Sequence, residues 1–190
     1  MKVNKFGQAT PLTQESYEQI SNNFVAEIHK IFWAIAWYTG ERPQAILKAD
    51  VGQFYLNPTR RICRGSILFP GNTRKDKVSR EIPCHRNLEI LLRDFECPQI
   101  GYLFPSRVRL GRCLSRQAID QSLRRALKRA GLQGQGYSLY SPRRGFITRL
   151  NNLGFNAGLI KSLSGHASLS SLGRYIDVPE EQRKNAINIF

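Results

Sequence analysis

The amino-acid sequence predicts an α+β fold that is mostly helical, with one small three-stranded antiparallel sheet near the middle of the chain. Apolar residues recur at helical spacing before residue 40 and again after residue 115, as expected for helices that bury one face. Residues 53–83 instead consist of short runs separated by turn-forming residues, which is typical of strands. No internal repeat or long linker divides the 190 residues, so we expect one domain.

Two helices are predicted in the N-terminal part of the chain. Thr13 is placed to cap the first of them through its side-chain oxygen. The second covers residues 24–38 and ends at Gly40, because glycine tolerates the left-handed backbone that commonly follows a helix. Its apolar residues at helical spacing are Phe24, Ile28, Ile31, Phe32, Ile35 and Ala36.

Three strands are expected between this helix and the middle of the chain. They cover residues 53–56, 61–69 and 79–83. An Asn57-Pro58 turn separates the first two, and a polar break at residues 71–73 separates the last two. Together these strands predict the small antiparallel sheet.

Helical patterns resume at residues 87–95 and are clearest between Ser115 and Gly131. One face of this later helix carries an apolar stripe, formed by Ala118, Ile119, Leu123, Ala126, Leu127 and Ala130. Its other face is basic and carries Arg116, Arg124, Arg125 and Lys128. The pattern supports two interpretations of the basic face, a contact with a phosphate backbone or a solvated surface.

The charge balance points to a polyanionic partner. The 29 Lys and Arg residues outnumber the 14 Asp and Glu residues and give a formal net charge of +15. A field of this sign attracts nucleic acid and speeds its association. A small basic structural protein has the same charge balance, so that alternative stays open.

The cysteines and the hydropathy favour a reduced, cytosolic protein. The four cysteines include no CxxC pair, and only three histidines are available to complete a metal site. A structural zinc is therefore not expected. No apolar run approaches the roughly 20 residues that span a bilayer, so no membrane association is expected.

Three segments in the last third of the chain carry the candidate chemistry. Residues 143–150 read Arg-Arg-Gly-Phe-Ile-Thr-Arg-Leu, residues 163–168 read Leu-Ser-Gly-His-Ala-Ser, and residues 174–178 read Arg-Tyr-Ile-Asp-Val. This succession resembles the C-terminal box of the tyrosine recombinases, the phage-integrase family, and the resemblance extends over nearly the whole chain from about Thr13. It implies that residues 1–190 are the catalytic domain, without the N-terminal core-binding domain, in either a fragment or a minimal recombinase.

The resemblance implies a site-specific DNA recombinase, which cleaves and rejoins duplex DNA through a 3′-phosphotyrosyl intermediate. Because that covalent link stores the bond energy, no ATP, metal or other cofactor is expected. The implied partners are double-stranded DNA and further copies of the chain, assembled as a tetramer on DNA in the cytoplasm. A type IB topoisomerase shares this chemistry, but the Leu-Ser-Gly-His box and the short chain favour recombination. The alternative from another class is a catalytically weak or inactive DNA-binding protein of the same fold.

Metal-free cleavage of a phosphodiester needs a nucleophile, cationic donors to the phosphate and an acid for the leaving oxygen. The resemblance implies one residue or more for each of these tasks. They are Arg42 and Arg143 as phosphate clamps, Lys75 as general acid, His166 as a hydrogen-bonding partner of the phosphate, Tyr140 at the position of the motif histidine and Tyr175 as nucleophile.

Two positions depart from the family's pattern. Tyr140 stands where the family has the histidine of a His-x-x-Arg motif, and a phenol with a pKa of about 10 is a poorer base near neutrality than an imidazole. Its hydroxyl either orients the reacting groups, or its ring is a packed aromatic in a weakened site. Ala45 stands where an acidic residue usually braces the first arginine, and Glu41 and Asp50 are the candidates to replace it.

Two of these assignments have a close competitor. Arg144 competes with Arg143. We prefer Arg143 because this register places Phe146, Thr148 and Leu150 at the Phe, Thr and Leu of the family's pattern. Lys77 competes with Lys75, since side chains two residues apart in a strand point to the same face.

Overall fold

The computed structural model describes residues 8–74, 76–166 and 168–173, together with residues 184, 187 and 188. Its helices and strands within these ranges follow one another in the order α1 (Gln14–Asn22), α2 (Glu27–Thr39), α3 (Pro43–Leu47), β1 (Tyr55–Asn57), β2 (Ile62–Cys63), β3 (Ser66–Phe69), β4 (Arg80–Pro83), α4 (Arg86–Asp94), α5 (Arg116–Arg129), α6 (Ser141–Asn152), α7 (Ala157–Ser164) and α8 (Leu169–Leu172).

The two N-terminal helices form as predicted. Thr13 caps α1 with a capping box, in which its hydroxyl accepts from the Ser16 amide at 3.2 Å and the Ser16 hydroxyl accepts from the Thr13 amide at 2.9 Å. Helix α2 begins at Glu27, three residues later than expected, and ends at Gly40 with a left-handed φ of 60°. Most of its residues are buried, which makes α2 the central helix of the core.

The predicted three-stranded sheet is wrong in its pairing, because the strands form two separate antiparallel ladders. β1 pairs with β2, and β3 pairs with β4. The expected strand at residues 61–69 breaks after Cys63, where the Arg64 amide donates to the Phe54 carbonyl at 2.8 Å. Its two halves therefore have different partners. Strand propensity indicates that a segment is extended, but it does not indicate which neighbour the segment pairs with.

The core surrounds α2, which contacts α1, α3, α4 and α6. Its largest fully buried side chains are aromatic and include Phe32, Trp33, Trp37, Phe54, Phe69 and Phe104. The predicted apolar stripe of α5 is confirmed for Ile119, Leu123, Ala126, Leu127 and Ala130, which are buried, whereas Ala118 is only partly buried. The basic residues of the helix are exposed. None of the helices in the described part of the chain is long and apolar enough to cross a membrane.

Helix α6 is held at its N-terminal half by the segment that precedes α1. The Leu12 amide donates to the Ser141 carbonyl at 3.2 Å. Gly145 faces the same segment, and a Cβ atom at Gly145 would lie 2.2 Å from the Leu12 carbonyl oxygen. This backbone-to-backbone approach requires glycine and sets the position of the first turns of α6.

Gly145→Ala is expected to lower the free energy of unfolding by about 1 to 3 kcal/mol, because the new methyl group has no room against the Leu12 backbone. Alanine in a helix interior normally has the opposite effect. Urea denaturation measures the change. Gly65→Ala is the control, because a Cβ atom there meets nothing within 4 Å. A Gly145→Ala protein as stable as the wild type would contradict the close approach.

Candidate active site

Three of the predicted site residues meet at one place in the structure. Arg42 is the N-cap of α3, Arg143 lies in the first turn of α6, and His166 follows the C-terminus of α7. The turn between α2 and α3 and the start of α6 come together because α2 and α6 pack against each other. Segments distant in the sequence therefore bring two guanidinium groups and an imidazole into one cluster.

Arg143 is buried at the centre of this cluster. Its Nη1 donates to the Gly40 carbonyl at 2.8 Å, and its Nη2 lies 3.3 Å from His166 Nε2. Arg144 instead donates from Nη1 to the Ala9 carbonyl at 2.6 Å and holds the N-terminal segment. Of the two competing arginines, Arg143 is the one that lies beside the histidine.

His166 is a neutral imidazole near pH 7. Burial, together with the positive charges of Arg143, Arg42 and Arg80, lowers the pKa of His166 to about 4. Ser164 Oγ lies 2.7 Å from His166 Nδ1. A neutral ring has one N–H donor and one acceptor nitrogen, so the contact with Ser164 orients the ring for hydrogen bonding.

Backbone conformation and steric crowding explain why the residue before His166 is a glycine. Gly165 ends α7 in the left-handed region with a φ of 64°. A Cβ atom on Gly165 would lie 2.2 Å from Arg74 Nη2, so a larger residue would push Arg74 away. Gly165 therefore ends α7 and leaves room for Arg74, an arginine that the sequence did not identify as part of the site.

The carboxylate that pairs with the Arg42 side chain is neither of the two expected. Arg42 Nη1 donates to Asp76 Oδ2 at 2.9 Å. Asp50 caps the short 3-10 turn that follows it and accepts from the Gly52 amide at 2.9 Å. Glu41 accepts from the backbone amide of Arg42 at 2.7 Å, and its carboxylate faces other arginines. Asp50 therefore does not brace Arg42, whereas Glu41 holds its backbone amide and not its guanidinium.

Glu41 is the centre of a buried ion-pair network. Its residue is 1% exposed, and its Oε2 accepts from Arg80 Nη1 at 2.7 Å and also from Arg74 Nη1. Arg80 additionally donates from Nη2 to the Thr39 carbonyl at 2.5 Å. Arg74 continues the network to Asp76, with Nε and Nη2 at 3.1 and 3.0 Å from its two carboxylate oxygens.

The amino-acid sequence does not identify Glu41, Arg74, Asp76 and Arg80 as a unit. Glu41 follows the predicted second helix, and Arg74 and Asp76 stand in the polar connection before the last predicted strand, which contains Arg80. Charged residues in such turns and on such short strands are ordinarily solvated. The sequence held one signal that Glu41 is buried. The chain turns directly after the apolar helix α2, and this turn places Glu41 against the core. A buried carboxylate needs cationic partners, but the sequence does not say which arginines supply them.

Tyr140 lies at the edge of the cluster as the N-cap residue of α6. The residue is 39% exposed, and the Arg116 guanidinium sits over its ring at 5.5 Å from the centroid. The ring is thus stacked with a basic residue at the start of α5 and is not packed in the core. This contact joins the basic face of α5 to the first turn of α6.

Two of the predicted residues, Lys75 and Tyr175, lie outside the described residues. The competitor Lys77 is exposed, has a positive φ of 55° and precedes β4, which begins at Arg80. Lys77 lies outside the strands, so the expectation that both lysines lie on one face of a strand is wrong. Among the residues that the structure describes, no three His, Cys, Asp or Glu side chains form a group that could hold a metal ion.

The amino-acid sequence matches a known protein family. The model of the phage integrase family matches residues 11–182. The chain belongs to this family. No curated protein sequence matches it as a relative.

Solved structures of recombinases and integrases share the fold. The XerH site-specific recombinase bound to difH substrate, in its pre-cleavage complex, is 21% identical with a TM-score of 0.73, over 100% of this chain and 55% of that one. The Tn1549 transposon integrase in complex with transposon right end DNA is 16% identical with a TM-score of 0.72, over 95% and 66% of the two chains. The catalytic domain of bacteriophage HP1 integrase is 18% identical with a TM-score of 0.63, over 88% and 87%.

These likenesses confirm the predicted fold class, an α+β tyrosine recombinase catalytic domain with small antiparallel sheets. This chain spans 55% of the XerH chain and 66% of the Tn1549 integrase chain.

NMR titration of the histidine rings is expected to place the His166 midpoint near 4, so that its ring signals stay constant from pH 8 to about pH 5.5, because burial and nearby arginines disfavour the cation. Arg42→Gln should raise the midpoint by removing one positive charge. Arg124→Gln, on the exposed face of α5, is the matched control and should leave it unchanged. A His166 midpoint between pH 6 and 7 would contradict the buried, arginine-flanked ring.

Proposed function

We propose that this phage integrase protein is a tyrosine-type site-specific DNA recombinase and that residues 1–190 act as its catalytic domain. The observation that supports this most directly is the cluster of Arg42, Arg143 and a neutral His166. Charged fork donors and a neutral imidazole suit a phosphate that gains negative charge in the transition state. The net charge of +15 suits a DNA duplex as the partner.

The proposed reaction is a transesterification, in which the phosphate exchanges its ester bond to the 5′-oxygen for one to the tyrosine oxygen. The Tyr175 oxygen attacks the scissile phosphorus and forms a phosphotyrosyl ester, and its phenolic proton passes to a base. The bond from phosphorus to the 5′-oxygen breaks, and that oxygen leaves with the electron pair and takes a proton from Lys75. Rejoining is the reverse, with a 5′-hydroxyl as the attacking group. Arg42 and Arg143 hold the non-bridging oxygens, and His166 adds a hydrogen bond to them.

The partners and the setting are part of the same proposal. The XerH recombinase structure holds difH substrate and the Tn1549 integrase structure holds transposon right end DNA. In this chain the basic residues on the exposed face of α5 offer phosphate contacts. Assembly as a tetramer on DNA and a cytoplasmic location are proposed from family membership.

One observation favours the alternative of a catalytically weak or inactive DNA-binding protein. By the resemblance to the family, Tyr140 takes the place of a histidine, and in the structure the Arg116 guanidinium lies over its ring. A phenol exchanges protons less readily near neutrality than an imidazole does. The two functions differ in one product, the covalent adduct.

Covalent trapping separates these two functions. Duplexes that the protein binds are first selected from a random pool, then nicked so that the cleaved strand diffuses away, and the products are run on a denaturing gel. A protein–DNA band is expected with the wild type and with Tyr102→Phe, which removes the hydroxyl of another exposed tyrosine, and not with Tyr175→Phe. Tyr140→His is expected to raise the cleavage rate about 10-fold or more, since histidine is the better proton carrier. Binding without any band establishes the non-cutting alternative.

A substrate with sulphur in place of the 5′-bridging oxygen distinguishes the two lysines, because a thiolate leaves without needing a proton. Lys75→Ala is expected to slow cleavage of the oxygen substrate by about 100-fold or more and to cleave the sulphur substrate at the wild-type rate. Lys77→Ala is the matched control and should cleave both the oxygen and the sulphur substrate at the wild-type rate. Rescue by sulphur in Lys77→Ala instead would assign the acid to Lys77.

A further inference from the structure

We propose that Asp76 is a positioning residue that orients the Arg42 guanidinium toward the scissile phosphate, in place of the acidic residue that is missing at Ala45. The inference rests on the proposed recombinase function. Ala45 is 1% exposed, and its methyl group cannot bind a guanidinium. Asp76, 34 positions from Arg42 in the sequence, supplies the carboxylate from the connection between β3 and β4.

The geometry holds Asp76 in one orientation. Its Oδ2 lies 2.9 Å from Arg42 Nη1 and 3.0 Å from Arg74 Nη2, and its Oδ1 lies 3.1 Å from Arg74 Nε. The Val78 amide also donates to Oδ1 at 3.3 Å. A bidentate contact fixes the plane of a carboxylate relative to its arginine. The second lone-pair region of Oδ2 then holds the Arg42 guanidinium at a defined point.

Arg74 connects this carboxylate to the core. The side chains of Arg74 and Glu41 are 1% and 0% exposed, whereas those of Arg42 and Asp76 are 24% and 16% exposed. Glu41 also accepts from the backbone amide of Arg42 at 2.7 Å. Both ends of Arg42 are thus connected to the Glu41 carboxylate. The backbone amide binds it directly, and the guanidinium is connected to it through Asp76 and Arg74. A partly exposed arginine gains in this way the fixed orientation that an unbraced surface arginine lacks.

Electrostatics support positioning as the role of Asp76. Burial alone raises the pKa of its carboxyl, but hydrogen bonds and charge from Arg74, the Val78 amide and Arg42 hold that pKa well below its usual range, so it is ionised near neutrality. The groups that face it are the guanidinium groups of Arg42 and Arg74, with Arg80 behind Arg74 on Glu41. The negative charge reduces the repulsion among these arginines and leaves the cluster positive overall, as a phosphate requires.

The opposite role predicts a different result. If Asp76 competed with the DNA phosphate for Arg42, its removal would speed cleavage. If it brings Arg42 to the phosphate, its removal slows cleavage while most DNA contacts, which lie elsewhere on a duplex, persist. The rate of cleavage and the affinity for DNA therefore have to be measured separately.

Asp76→Asn is expected to slow single-turnover covalent cleavage of the nicked duplex by about 10- to 100-fold and to change the affinity for uncleaved duplex less than about 3-fold, because displaced positioning groups act mainly on the chemical step. Asp76→Glu should recover much of the rate, since it restores the charge. Asp120→Asn, the same substitution in the exposed pair with Arg124, is the matched control and should cleave like the wild type. Asp76→Ser provides a second removal of the carboxylate if Asp76→Asn does not fold.

The side-chain Nε–H signal of Arg42 in nitrogen NMR, assigned by its loss in Arg42→Lys, gives a readout that does not depend on cleavage. It should shift in Asp76→Asn and return toward the wild-type position in Asp76→Glu. Unchanged or faster cleavage in a folded Asp76→Asn protein, or an unchanged Arg42 signal, overturns the proposal. If the wild type forms no covalent complex, the recombinase function fails, and the Arg42 signal alone decides whether Asp76 orients that guanidinium.

Discussion

The buried carboxylate of Glu41 is the interaction on which the arrangement of the site depends. It lies at the turn after α2 and binds Arg80 at the start of β4 and Arg74 on the connection before it. Arg74 in turn lies against Gly165 at the end of α7. One carboxylate thereby joins the core helix, the β3–β4 hairpin and the helix that precedes His166. Removing one partner from such a buried pair leaves an uncompensated charge and typically costs about 3 to 5 kcal/mol.

The same network sets the electrostatics of the cluster. Glu41 and Asp76 offset part of the charge of Arg42, Arg74, Arg80 and Arg143, and the remainder is positive. Because His166 sits in this positive, buried place, its pKa lies near 4 and the ring stays neutral near pH 7. The cluster can therefore combine cationic donors and a neutral hydrogen-bonding group within a few ångströms. An isolated histidine on a surface would be partly protonated and would repel the arginines.

Much of the fold was predictable because it depends on local signals. The Thr13 cap, the end of α2 at Gly40 and the buried stripe of α5 all follow from side-chain chemistry within one or two helical turns. Strand pairing was not predictable in the same way. The segment that was expected to be one strand turns after Cys63 and serves two ladders, and this choice depends on partners distant in the sequence.

The sequence by itself determined the family pattern, the basic character and the candidates Arg42, Arg143 and His166, because these rest on residue order and on chemistry that each side chain carries alone. Only the tertiary structure decided that Arg143 and not Arg144 lies beside the histidine, and that Asp76 pairs with Arg42. The physical reason is that ion pairs form between side chains brought together by the packing of α2, α6, α7 and the hairpin. A charged residue in a turn looks solvated in sequence until the fold buries it against a partner.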